Sequence, residues 1–113
     1  MKRLIASCLF AVASVGVAHA DVAAPEKAAV CASCHGEGGA KPIAPNYPVL
    51  AGQYRNYLEV ALNEYKSGAR KNAIMAAQAT NLSDVDIKAL AKYFAAQPGP
   101  LYTPSVAGAA APK

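Results

Sequence analysis

The segment Cys31-Ala32-Ser33-Cys34-His35 brings two thiols and an imidazole within five residues, and C-x-x-C-H is the spacing that attaches a c-type haem covalently. Each thiol can add across a vinyl group of one porphyrin, and the histidine after the second thiol then stands beside the iron. Other chemistries use similar residues. A zinc site needs four ligands, yet the chain has no cysteine or histidine after His35. A redox thiol pair, poised to form a disulfide, belongs in an alternating strand and helix pattern, and no convincing strand run is visible. One motif occurs, so one haem and one iron are expected.

A closed coordination sphere requires a second iron ligand. Met75 is the only methionine after Met1. Alone, it would be a filler of core gaps. Beside a C-x-x-C-H motif, with no other soft donor downstream, it is the expected sixth ligand, because a thioether suits haem iron and raises its reduction potential. A five-coordinate or lysine-ligated iron is the alternative. His35 should be neutral, bonding iron through one ring nitrogen and donating from the other to a backbone carbonyl. Pro48 is the candidate for that carbonyl.

The elements that must position these groups read as helices. Pro25 suits a first helical position and Glu26 suits the positive end of the helix dipole, so a short helix runs into the motif and ends at Gly36, Gly38 and Gly39. Pro42, Pro45 and Pro48 fix an extended loop that passes the His35 side. Tyr54, Tyr57, Leu58, Ala61, Leu62 and Tyr65 form one helical face, stopped at Gly68. Tyr57 and Leu58 are the expected ring contacts. Ser83-Asp84-Val85-Asp86 resembles a capping box opening a terminal helix with its stripe at Ile87, Leu90, Ala91 and Phe94.

The amino terminus reads as a secretory leader over residues 1–20. Met1-Lys2-Arg3 is basic, Leu4 to Val17 is almost wholly apolar, and Ala18-His19-Ala20 carries small residues at the cleavage positions. The apolar run is shorter than the roughly 20 residues a span requires, so no membrane anchor is expected, and Cys8 lies too early in it for a lipoprotein. Losing Lys2 and Arg3 leaves nine basic against seven acidic residues, a mature charge of +2. No basic run interleaved with aromatics marks a nucleic-acid surface. Residues 21–97 then form one small domain whose own side chains make a marginal core. Without its haem the polypeptide is expected to be largely unfolded or molten. Residues 98–113, rich in Ala, Pro and Gly, read as a flexible tail.

Together these residues resemble the class I c-type cytochromes, most closely the small bacterial periplasmic c-553 and c4-like kind. The resemblance is carried by Cys31-Ala-Ser-Cys34-His35-Gly36, Pro48-Val-Leu50-Ala-Gly52-Gln53, Tyr57-Leu58, Tyr65-Lys-Ser-Gly68-Ala-Arg70, Asn72-Ala-Ile-Met75 and Leu82-Ser83-Asp84. It implies an all-α fold of three to five helices wrapped around one covalent haem c, with the first and last helices crossing. It implies attachment at Cys31 and Cys34, iron ligation by His35 and Met75, Pro48 and Leu50 lining the histidine side, and Tyr57, Leu58 and Ile74 in the pocket. The expected role is a periplasmic electron carrier between redox partner proteins such as respiratory complexes, oxidases or dehydrogenases. A haem subunit or dedicated acceptor of one complex, and a five-coordinate sensor or peroxidase, are the competing readings. The short first helix and the tail depart from the family pattern.

Overall fold

The computed structural model describes residues 22–104. The expected leader over 1–20 and the tail beyond 104 lie outside them. Four helices run in order: α1 (Ala28–His35), α2 (Arg55–Ser67), α3 (Ala73–Ala79) and α4 (Asp84–Ala96), with one 3-10 turn at Glu37–Gly39. No strand occurs among the described residues, so the all-helical expectation holds. None of their helices is long and apolar enough to cross a membrane.

α1 begins later than the sequence suggests. Pro25 lies in the turn before it, where its carbonyl accepts from Ala28 N at 2.9 Å, and Lys27 caps the helix without a side-chain bond. Its end is where the glycine predicts: Gly36 leaves the helix at φ 83°, ψ 164°. A Cβ there would lie 2.1 Å from the Lys41 carbonyl oxygen, so the chain turns away from His35 through a space only glycine leaves open.

The proline-bearing loop is closed at its base, because the Gly39 carbonyl accepts from both Leu50 N (2.8 Å) and Ala51 N (3.1 Å). Gly52 N then donates to the Phe94 carbonyl at 3.0 Å, tying the loop to the end of α4. α2 stops at Gly68 in the left-handed conformation, φ 81°, as a glycine C-cap does.

α2 lays Leu58 against Ile87, Leu90, Ala91 and Phe94 of α4, and Ala28 of α1, Ala79 of α3 and Leu82 join the same cluster. Among the described residues the large side chains that are almost wholly buried are Ile87, Leu90 and Phe94. At about 1.5–3 kcal/mol per buried side chain of this size, so small a cluster gives a modest driving force. The capping box of α4 is complete: Ser83 Oγ accepts from Asp86 N at 3.1 Å while Asp86 Oδ2 accepts from Ser83 N at 2.8 Å. Asp86 Oδ2 also receives Lys27 Nζ at 2.6 Å, linking the start of α1 to the start of α4.

Two elements differ from expectation. No helix is expected from the sequence between Gly68 and Ser83, yet α3 starts there, and its N-cap Asn72 accepts from Met75 N through its side chain. The tail expected to be flexible from residue 98 is held at its start. Thr103 Oγ1 donates to the Gly52 carbonyl at 2.6 Å and Tyr54 Oη to the Pro104 carbonyl at 2.5 Å.

Candidate haem site

α1 presents Cys31 and Cys34 one turn apart, both half-buried and neither in a disulfide. The Cys31 thiol donates to the Lys27 carbonyl at 3.6 Å, an intrahelical contact. Burial pushes this thiol above its ordinary value, with a smaller push from Cys34 beside it, so it stays protonated at neutral pH. Among the described residues no group of three or more His, Cys, Asp or Glu side chains is arranged to hold a metal ion directly.

His35 is the last residue of α1 and only 5% exposed. Its Nδ1 lies 2.7 Å from the Pro48 carbonyl oxygen. Because a carbonyl only accepts, Nδ1 carries the proton, and Nε2 is left with its lone pair for a metal. The edge of Tyr47 meets the imidazole at 6.1 Å and 74°. The carbonyl that fixes the ring is thus the one the sequence singles out, and its position follows from the loop closure at Gly39. The same loop surrounds a cavity of about 420 Å³ lined by Pro42, Ile43, Ala44, Pro45, Tyr47 and Val49.

Met75 sits in the first turn of α3, half-buried. It lines a second cavity, about 200 Å³, in company with Cys31, Val30, Leu62 and Leu82. A residue of the attachment motif and the downstream thioether, 44 positions later in the chain, therefore face one apolar hollow between α1, α2 and α3.

The other expected pocket residues separate. Leu58 is buried in the helical core, and Leu50 packs on its margin. Tyr57 is 46% exposed and Ile74 53% exposed, and none of these four lines either cavity. Tyr57 instead meets Arg70: its Oη accepts from Arg70 Nη1 at 3.2 Å, and the guanidinium carbon stands 5.6 Å from its ring centre. Sequence reasoning passed over Tyr47, Val30 and Arg70. Tyr47 and Val30 carry no positional signal in a loop or on an Ala-rich helix. Arg70 lies in a turn, where a cation is usually just solvated.

The donor set fits a covalently held haem: two thiols outside any disulfide at C-x-x-C spacing, an imidazole oriented by a carbonyl, and a thioether in a hollow shared with one of the thiols. Comparison with known proteins agrees. The cytochrome c family profile matches residues 26–97. Cytochrome c4 of Pseudomonas aeruginosa is 46% identical over 100 residues, covering 86% of this chain and 49% of that protein. The thiosulfate dehydrogenase electron acceptor of Thiomonas intermedia is 43% identical over 90 residues, covering 79% of this chain and 42% of that protein. A cytochrome c-553 of Helicobacter pylori strain J99 is 42% identical over 92 residues, covering 81% of this chain and 93% of that protein. The chain spans about half the length of the cytochrome c4 relatives it matches. Its sequence and its helical architecture place this chain in the cytochrome c family as a class I c-type cytochrome with covalently bound haem c.

Proposed function

We propose that this chain is a periplasmic monohaem shuttle that passes single electrons between respiratory redox partners, with His35 and Met75 as the axial ligands of its iron. The observation that carries this reading is the hollow shared by Cys31 and Met75, taken with the Pro48 carbonyl on His35 Nδ1. Cys31 and Cys34 form the two thioether links. The Pro48 carbonyl stands on the histidine side. Residues 1–20 act as the export leader, 21–97 as the electron-transfer domain and 98–113 as an appended tail.

Haem iron, when bound, supplies a one-electron couple. The polypeptide sets how that couple behaves. His35, oriented by the Pro48 carbonyl, would donate to the iron through Nε2 with a basicity raised by that carbonyl. The Met75 sulfur favours the reduced state, and apolar Val30, Leu62 and Leu82 disfavour the extra positive charge of the oxidised one. Ligands that stay the same in both states leave little to rearrange, as a carrier requires. The test is the absorption spectrum of oxidised and reduced protein, with Met75→Ala alongside. The expected result is a low-spin spectrum with a thioether–iron band that the variant loses together with its high potential. An unchanged variant spectrum refutes the ligation.

A second reading, service as the dedicated acceptor of one dehydrogenase, is favoured by similarity to the Thiomonas intermedia thiosulfate dehydrogenase electron acceptor. Reduction of this protein by one purified dehydrogenase, at a rate other dehydrogenases do not approach, would select it.

A further inference from the structure

The connection between α2 and α3, residues 68–72, is held at two points. Arg70 N donates to the Glu64 carbonyl at 3.1 Å. Its guanidinium folds back on α2, where Nε and Nη2 each lie 2.9 Å from Glu64 Oε2 and Nη1 donates to Tyr57 Oη at 3.2 Å. The same guanidinium carbon stands 5.6 Å from the ring centre of Tyr57 and 5.4 Å from that of Tyr65. Two residues on, Asn72 Oδ1 accepts from Met75 N at 3.0 Å. One planar cation thus grips three side chains of α2 immediately before the cap that sets Met75.

α3 cannot set its own position. It has seven residues, too few to be stable alone, and only Ala79 of them is buried. Its amino-terminal end is therefore placed by what precedes it. A single exposed ion pair is a weak tether. Here two donors on one carboxylate oxygen, a phenol and two aromatic rings act through one guanidinium, a combination that a lysine's point charge cannot reproduce.

We propose that Arg70 is a positioning residue for the iron ligand: its grip on α2 fixes the entry to α3 and so keeps the Met75 thioether in the hollow it shares with Cys31. This rests on the reading of Met75 as sixth ligand. The test uses ferric holoprotein, titrating guanidinium chloride while following both the thioether–iron band and far-UV circular dichroism. In Arg70→Gln the band disappears at lower denaturant than in the wild type, with the sulfur-dissociated fraction at a fixed mild concentration raised on the order of tenfold. The circular dichroism midpoint moves much less. Arg70→Lys recovers part of the loss. Should Arg70→Gln yield no holoprotein, Glu64→Gln is read in the same way and shifts the band in the same direction by less. The inference is overturned if the band and the helical signal move together, or if neither moves. A wild type that has no such band overturns the Met75 assignment itself, which separates that failure from this one.

Discussion

Two glycine-to-alanine substitutions isolate what the turn after His35 requires. Gly36 and Gly68 both end helices at nearly the same positive φ, 83° and 81°, but their surroundings differ. At Gly68 the nearest atom to a new Cβ is Lys71 Nζ at 4.0 Å, the far end of a flexible side chain. Gly68→Ala therefore costs only the left-handed strain, about 1–2 kcal/mol. At Gly36 the conformation is one that glycine alone adopts comfortably, worth about 1–3 kcal/mol. The new methyl would also meet Lys41 backbone atoms at 2.1, 2.6 and 3.0 Å. Backbone cannot swing aside, so an overpacking cost of about 1–3 kcal/mol adds to the strain. Gly36→Ala should thus lose about 2–6 kcal/mol, a large part of the roughly 5–15 kcal/mol that stabilises a domain. Guanidinium chloride unfolding of the two ferric holoproteins, followed by haem absorbance and circular dichroism, gives both values when the slopes agree. Failure of Gly36→Ala to accumulate beside a well-behaved Gly68→Ala is the same result at its limit. If the two variants are equally stable, the argument from the Lys41 carbonyl is wrong.

Leu90, 1% exposed within the α2–α4 core, should cost about 2–5 kcal/mol as Leu90→Ala, measured by the same unfolding experiment; a loss below 1 kcal/mol would contradict its central place. Asn72→Ala removes the side-chain acceptor of Met75 N and should weaken the start of α3 by about 0.5–2 kcal/mol, seen as earlier loss of the thioether–iron band. The Asp86 carboxyl is held down to about 2 from 3.8, first by the hydrogen bond from Lys27 and then by those from Ser83. Its folded value lies below its unfolded one, so its contribution is complete above about pH 4 and is lost as pH falls from there towards 2. The gap in urea midpoint between wild type and Asp86→Asn should therefore be present at pH 5 and shrink towards pH 2; a gap that does not change with pH would count against the Lys27 link.

The attachment motif, the exit at Gly36, the stop at Gly68 and the Ser83–Asp86 box were all legible in the sequence, because each is a local rule about backbone conformation or capping. The Pro48 carbonyl was legible too, since a proline-fixed loop leaves few acceptors within reach of His35. Longer-range facts were not. The Lys27–Asp86 contact joins residues 59 apart, and no local pattern distinguishes a solvated lysine from one that spans two helices. Tyr57 shares the helical face of Leu58, yet its hydroxyl and ring serve a cation from the following turn rather than the core. Periodicity gives the face of a helix and says nothing about what arrives from elsewhere. α3 escaped notice because an Ala-rich run of seven lacks a clear apolar stripe; the Asn72 cap was its one readable sign.

The Lys27–Asp86 bond also bears on the order in which the molecule can be completed. Chains appear from the amino terminus onward, so the thiol-bearing segment exists long before its counterpart at residue 86 does. During that interval Lys27 and Ala28 have nothing from α4 to rest on, so the segment carrying Cys31 and Cys34 is not yet anchored at its start. Once the last helix is in place, Lys27 and Ala28 have their α4 partners and the start of α1 is tied down.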